Sequence, residues 1–374
     1  MGLLKDLVHI GIVGAGHWAQ TAHIPSFQKC TNARVEAICD TDENLAKQVA
    51  TKFGIPKVCK DFHELLNLGN IDVVDICSSA KSHYEVASES IKAVRSVLCE
   101  KPLAMNLAEA RMLWNDAVLK KAKTKVGFTF RYSPALRRMK ELIDEGFIGE
   151  PYLFNGFEQN SQYINPRTPF RWNPGDNASE LMPGSLEEYA PHLIDIALWL
   201  FGDVKQVVGN MKNFVPERFI RDIGKTMPIN IEDASIWLAE FKNGAQGTFQ
   251  SSFVAIGGYP GVEVRAFGSN GAIIAKLVEQ DGTNESLKVA TTSETEFREI
   301  EIPEKFYGDG KKKDPWVELY FHNLAQAFVS EILENREPQA NFLAGVKVQE
   351  IEDAIYLSHR ERRWISLPLS ADQF

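Results

Sequence analysis

Over the first third of the chain, short runs of β-branched and aliphatic residues alternate with stretches whose apolar positions recur every three or four residues. The apolar runs are Val8 to Gly14, Val35 to Asp40, Val73 to Cys77, Val97 to Glu100 and Val126 to Phe130. Strands separated by helical stretches make βαβ units, so this part predicts a doubly wound parallel sheet. The helices carry their own punctuation. Glu43 to Phe53 reads as a helix stopped by Gly54. Asn106 and Glu109 read as a capping box opening a helix with Leu107, Ala110, Trp114, Ala117 and Val118 on one face.

The pattern changes after Phe130. Ser133 as N-cap and Pro134 at the first helical position open a helix that ends near Gly146, so a domain boundary is placed just before them, giving domains 1–130 and 131–374. Longer strand-like stretches follow: Pro151 to Gln159, Val204 to Val215, Asp233 to Phe241, Gly247 to Val254, Val262 to Phe267 and Ala272 to Leu277. This order predicts an α/β domain with a large, mostly antiparallel open sheet, backed by a helix from about Ser185 to Phe201 and closed by helices near 316–334 and 345–359.

The length of 374 residues suits two domains with separate cores. Apolar residues at 44% and charged ones at 24% are ordinary globular values. The net charge of −9, with dispersed Lys and Arg, gives no footprint for nucleic acid. No apolar run is long enough to span a bilayer, and the start, MGLLKDLVHI, runs into a strand rather than a signal peptide, so a cytoplasmic protein is expected. The five cysteines, Cys30, Cys39, Cys59, Cys77 and Cys99, lack CxxC spacing and are expected to be free thiols, with no metal site.

The chemistry begins at Gly14-Ala15-Gly16-His17-Trp18-Ala19, which follows a predicted strand and precedes a helix. In that context Gly14 makes the tight turn, Gly16 lets backbone N–H groups approach a pyrophosphate, and Ala19 allows close helix packing; His17 and Trp18 complete the cofactor-binding turn. Asp40 ends the second strand, 24 residues after Gly16, where a carboxylate accepts from both ribose hydroxyls. It also repels a 2′-phosphate, so NAD is expected in preference to NADP. The competing role for Asp40, capping the next helix, is better filled by Asp42.

Lys101 lies in Glu100-Lys101-Pro102 at the carboxyl end of a predicted parallel strand, where open α/β sheets bind ligands. A lysine there can hydrogen-bond a substrate hydroxyl and favour its alkoxide-like form; the competing reading is a solvated lysine before a turn proline. Glu188, His192 and Asp195 share one face of the Ser185 to Phe201 helix, with Trp199 projecting from the same side. A histidine oriented by a carboxylate on a covered face suits general acid or base chemistry, whereas an open face makes the pair a surface contact. Arg131 and Tyr132 are expected at the cleft between the domains. Arg167, Arg171 and Trp172 are candidate sugar contacts, and His83 is a candidate near the nicotinamide or else a buried structural histidine.

Together these residues resemble the Gfo/Idh/MocA oxidoreductase family, named for glucose-fructose oxidoreductase and inositol dehydrogenase. The resemblance rests on the Gly14 fingerprint, the segment from Ser78 to His83, Glu100-Lys101-Pro102, Phe130 to Pro134, Gly184 to Asp195, and Glu232-Asp233 followed by Asn243-Gly244. It implies an N-terminal Rossmann domain and a C-terminal α/β domain whose sheet forms a homodimer or homotetramer interface. It also implies Lys101 as the catalytic lysine, a cis bond before Pro102 and His192 as the general acid/base. With the residues read above, the candidate site takes Ser78, His83 and Glu100 near the cofactor and Arg131, Arg171, Trp172 and Asp195 near the substrate. Two segments depart from the family: Glu188 replaces its aspartate and Ala190 its glycine two residues later, and Ser78-Ser79-Ala80 replaces Thr-Pro-Asn, losing a usual cofactor contact. The expected activity is NAD-dependent interconversion of a secondary alcohol and a ketone on a sugar, inositol or derivative. The alternatives are a glycosidase that recycles NAD and a nucleotide-bound regulatory protein.

Overall fold

The computed structural model describes residues 6–168, 184–220, 224–258, 260–278 and 285–370. The chain divides into two compact units, one running through Ser133 and taking in Tyr307–Gln349, the other made of Pro134–Phe306 and the chain from Glu350.

In the first unit β1 (Val8–Val13), α1 (Ile24–Lys29), β2 (Ala33–Cys39), α2 (Glu43–Phe53), β3 (Lys57–Val58), α3 (Phe62–Leu66), β4 (Val73–Ile76), α4 (Ala80–Lys92), β5 (Ser96–Cys99), α5 (Leu107–Lys120) and β6 (Thr124–Val126) follow in order. The strands form an all-parallel sheet, β3-β2-β1-β4-β5-β6. This is the doubly wound order with its switch point between β1 and β4. Val8, Ile10, Ile12, Val73, Val74, Ile76, Val97 and Leu98 have no exposed surface, as expected where connections cover both faces of a parallel sheet.

The caps follow the sequence signals with one shift. Asp42 accepts from the Asn44 and Leu45 N–H groups and Gly54 closes α2 in the left-handed region. Asn106 accepts from Glu109 N–H, while Glu109 reaches back to Met105 N–H, one residue before the usual partner. The buried stripe of α5 runs through Leu107, Ala110, Leu113 and Ala117, and Val118, expected on that face, is 56% exposed.

The expected strand Val126 to Phe130 is displaced: β6 runs Thr124–Val126, sharing only Val126 with it, and Thr129–Tyr132 form a 3-10 turn. Gly127 N–H donates to Cys99 O at 2.8 Å, but a side chain at Gly127 would lie 2.6 Å from the Glu100 carboxylate. The chain leaves the sheet there, and the apolar Phe128 and Phe130 are buried from a turn.

The second unit opens with α6 (Pro134–Asp144), β7 (Pro151–Gln159), α7 (Ser185–Phe201) and β8 (Val204–Lys212). Then come β9 (Glu217–Ile220), β10 (Lys225–Pro228), β11 (Ala234–Phe241), β12 (Gln246–Ser252), β13 (Val262–Gly268), β14 (Gly271–Lys276), β15 (Ser286–Thr291) and β16 (Arg298–Ile300). After α8 (Trp316–Leu333) and α9 (Phe342–Glu361), β17 (Ile365–Ser366) completes a nine-stranded sheet, β16-β15-β14-β13-β7-β12-β11-β8-β17. Every pair is antiparallel except β12 with β7. Strand β11 shows the alternation: Trp237 and Ala239 are buried, whereas Ile236 and Leu238 are exposed. Helix α7 packs on the buried face, against β7, β11 and β12. Gly156 gives it room, since a side chain there would meet Phe154, Phe249 and Leu193.

Helix α8, expected to close the antiparallel sheet, belongs instead to the first unit. Its Tyr320, Phe321, Leu324 and Phe328 are buried, and it packs against α1 and β1. Apolar periodicity establishes that a helix has a partner but not which one; here the deciding contacts include Phe321 on His23, with ring centroids 4.0 Å apart.

Candidate active site

The glycine-rich turn is built for close approach. Gly14 has φ of 106°, and a side chain on it would lie 2.7 Å from Cys77 O, so β1 can turn only without a Cβ. Gly16 faces open space, with nothing within 4 Å of a Cβ position. The chain from His17 to Lys29 is helical, with a π-helical turn over Ala19–His23. Open space over a glycine at a helix start fits a pyrophosphate, so the turn can hold the phosphates of a dinucleotide.

Asp40 is tied to that turn. Ala15 N–H donates to its Oδ2 at 2.7 Å and Asp42 N–H to its Oδ1 at 2.8 Å. Two carboxylate oxygens offer about four lone-pair sites, so capacity remains for ribose hydroxyls. The helix cap itself is Asp42, as the spacing indicated.

Lys101 lies just beyond β5, and both of its neighbours are fixed from below. Glu100 Oε1 accepts from Trp18 Nε1 at 3.1 Å and lies 3.2 Å from His23 Nε2, while Glu100 Oε2 accepts from Lys101 N–H at 3.1 Å. The Glu100 carboxylate, a candidate cofactor contact, is thus engaged with protein donors on both oxygens. The peptide bond between Lys101 and Pro102 is cis. His83 is 1% exposed, with Nδ1 2.7 Å from Pro102 O and Nε2 3.2 Å from Ser78 O. Burial pushes its pKa down, so the ring is neutral and donates to one of these carbonyls. Ser78 Oγ pairs with Ser82 Oγ at 2.7 Å.

His23 is the residue that sequence reasoning missed. It is fully buried, with Nδ1 2.8 Å from Asp75 Oδ2. Burial opposes its charge, but the Asp75 and Glu100 carboxylates outweigh that and raise its pKa to about 9. The available signal was a histidine one turn after Ala19 and one turn before Phe27, on the apolar side of the helix. His23, Asp75 and Cys77 bring ligand-type atoms within 4.8 Å of one another, with both His23 nitrogens already against carboxylates. All five cysteines are free; burial drives the Cys30 and Cys39 thiols up to about 12, which keeps them protonated and unreactive.

In the second unit α7 spans Ser185–Phe201, as its periodicity indicated. Glu188 and His192 lie one turn apart and are both half-buried, as is Trp199; Asp195 is 1% exposed. The helix start is held by Glu232, whose backbone O accepts from Ser185 N–H at 3.2 Å and whose Oε1 accepts from Leu186 N–H at 2.9 Å. Gly184 leaves the necessary space, because a side chain there would sit 2.0 Å from the Glu232 carboxylate oxygens. Asp233 accepts from Phe214 N–H and Val215 N–H, each at 2.9 Å, and pairs with buried Arg218 at 3.1 Å. The sequence pair Glu232-Asp233 therefore anchors the helix start on one side and the chain leading into β9 on the other.

Arg131 is half-buried in the first unit, in the 3-10 turn after β6. Its neighbour Tyr132 is buried, its hydroxyl accepting from Lys125 Nζ at 2.7 Å. Arg167 is exposed in the second unit, in an open depression with Phe214, Pro216 and Thr226. Arg171 and Trp172 lie outside the described residues. Among the described residues, no helix is long and apolar enough to cross a membrane.

Comparison with known proteins assigns both halves. Residues 8–128 match the model described as the oxidoreductase family, NAD-binding Rossmann fold. Residues 136–274 match the GFO/IDH/MocA C-terminal domain. Levoglucosan dehydrogenase of Pseudarthrobacter phenanthrenivorans is 26% identical, with 97% of each chain covered. Myo-inositol 2-dehydrogenase of Thermotoga maritima is 29% identical over 73% of this chain and 76% of its own. The solved structure of levoglucosan dehydrogenase in complex with NADH and L-sorbose superposes with a TM-score of 0.86 at 25% identity, covering 96% of this chain and 99% of that one. With the fingerprint, the fold and both domain models in agreement, the chain belongs to the Gfo/Idh/MocA family of oxidoreductases, with an NAD-binding Rossmann domain and the family's own C-terminal domain.

Proposed function

We propose that this protein is an NAD-dependent dehydrogenase that interconverts a secondary alcohol and a ketone on a sugar, inositol or sugar derivative. The observation that carries this reading is Lys101 at the carboxyl end of β5, its peptide held by Glu100 within the same unit as the glycine-rich turn. The names of the relatives, levoglucosan dehydrogenase and myo-inositol 2-dehydrogenase, support a ring polyol as the substrate class.

Bound NAD supplies the hydride acceptor, its nicotinamide. Lys101, as an ammonium, donates a hydrogen bond to the substrate oxygen and stabilises the negative charge that grows there as the carbon is oxidised. His192 takes the hydroxyl proton, oriented by Glu188 one turn earlier on α7. Gly14, Gly16, His17, Trp18 and Ala19 form the phosphate turn, with Ser78 after β4 and His83 in the first turn of α4 as further cofactor-side residues. Asp40 takes the ribose hydroxyls and disfavours NADP. Arg131, Arg171, Trp172 and Asp195 contact the substrate. The exposed Ile236 and Leu238 on the outer face of the large sheet support a homodimer or homotetramer formed there.

The test is a screen of levoglucosan, inositols, aldoses and sugar acids with NAD and NADP, following reduced nicotinamide. Accumulation of NADH in proportion to a keto product is expected. Glycoside cleavage without net NADH would replace this reading with the recycling one, and NADH binding with no turnover would leave a regulatory protein.

A further inference from the structure

We propose that His23 is a positioning residue for Lys101: a buried imidazolium that holds the Glu100 carboxylate in one orientation, from which it fixes both the Lys101 peptide and the Trp18 indole. The proposal rests on the reading of Lys101 as the group that acts on the substrate oxygen.

An ionised carboxylate only accepts, so each ring nitrogen facing one must carry a proton. His23 Nδ1 lies 2.9 and 2.8 Å from the two oxygens of Asp75, and Nε2 lies 3.2 Å from Glu100 Oε1. With both carboxylates ionised, each nitrogen is an N–H donor and the ring carries a charge; burial raises the Asp75 pKa, but the two carboxylates together still lift that of His23 to about 9. The ionisable groups near it are Asp75 from β4, Glu100 at the end of β5, and the neighbouring Cys77 and His83, while α8 packs the Phe321 ring on it. His83, whose protonation burial disfavours, holds the other flank of Lys101 through the Pro102 carbonyl.

The charge matters because Glu100 is the joint of the site. Its Oε1 receives the Trp18 indole N–H from the nucleotide turn, and its Oε2 receives the Lys101 N–H. Gly127 leaves the space this carboxylate occupies, since a side chain there would lie 2.6 Å from Glu100 Oε1. Without the imidazolium, the buried carboxylate loses the cationic hydrogen-bond partner it has in His23 and favours protonation or a turn toward water. Either outcome frees the Lys101 peptide and the Trp18 indole, while the backbone of the glycine turn stays tied to Asp40 through Ala15 N–H.

Two measurements on the full chain with NADH bound test this. The first is the imidazole nitrogen spectrum of the 15N-histidine protein at pH 7.5, with His23 identified by its loss in His23→Gln or His23→Asn. Two protonated ring nitrogens are expected; one unprotonated nitrogen overturns the proposal. The second is a cycle of His23→Gln and Lys101→Met, assayed on the alcohol found in the screen. A positioning role predicts that His23→Gln lowers kcat at least about 30-fold and changes NADH affinity less than about threefold, and that adding it to Lys101→Met costs almost nothing further. Losses that multiply independently overturn the proposal. If no alcohol is oxidised but the ring is doubly protonated and Trp18 fluorescence changes in His23→Gln, the reading of the reaction fails while the clamp on Glu100 stands.

Discussion

Glu232 Oε1 accepts the backbone N–H of Leu186 at 2.9 Å, so a residue 46 positions away in sequence caps the helix that carries Glu188 and His192. Burial raises the Glu232 pKa to about 7, against the helix-terminal N–H that favours its charge. In an unfolded chain the group titrates near 4.5, so between that pH and 7 the folded protein holds the extra proton. Stability therefore falls as pH rises through this window and stays lower above it, by about 3 kcal/mol. Glu232→Gln keeps an acceptor oxygen and removes the titration. Its melting temperature is expected to gain on the wild type from pH 5 to pH 8; a constant difference contradicts this assignment.

The two proposed proton handlers separate binding from chemistry. Lys101→Met and His192→Ala are each expected to lower kcat by about 10² to 10⁴, with the NADH dissociation constant nearly unchanged. Steady-state kinetics and fluorescence titration read the two quantities separately. Unchanged turnover in both variants removes both residues from the mechanism.

Asp40 joins the glycine turn to the end of β2 through Ala15 N–H. Its replacement by serine is expected to weaken NADH binding about tenfold, the loss of one or two good hydrogen bonds, and to narrow the preference for NAD over NADP. The ratio of kcat/KM for the two cofactors measures it. A ratio that does not move places the discrimination elsewhere.

Lys125 has no exposed side-chain surface and pairs with Glu331 at 2.8 Å, also donating to Tyr132 Oη and Gln339 O. Removing one member strands a buried charge, so Lys125→Met is expected to cost about 3–5 kcal/mol in urea unfolding. Adding Glu331→Gln should recover a large part of that, because the stranded carboxylate is gone. A double variant less stable than the single one rules out the ion pair as the reason for the loss.

The parallel sheet, the glycine turn, Asp42 as cap, Gly54 as stop and the full span of α7 were all legible along the chain. Each depends on residues a few positions apart: strand runs, a missing Cβ at a tight turn, a side chain capping N–H groups two or three residues on. The partner of α8 was not legible, since an apolar stripe fits the Rossmann unit or the large sheet equally well, and Phe321 found His23. The end of β6 was not legible either, because the apolar Phe128 and Phe130 are buried from a turn as fully as they would be from a strand. The clearest case is the setting of Lys101. The sequence by itself determined that a lysine follows β5 in a family of oxidoreductases. Only the tertiary structure decided that Asp75, His23 and Glu100, drawn from three separate stretches, converge beneath it, because a buried charge network is set by distances that no local pattern encodes.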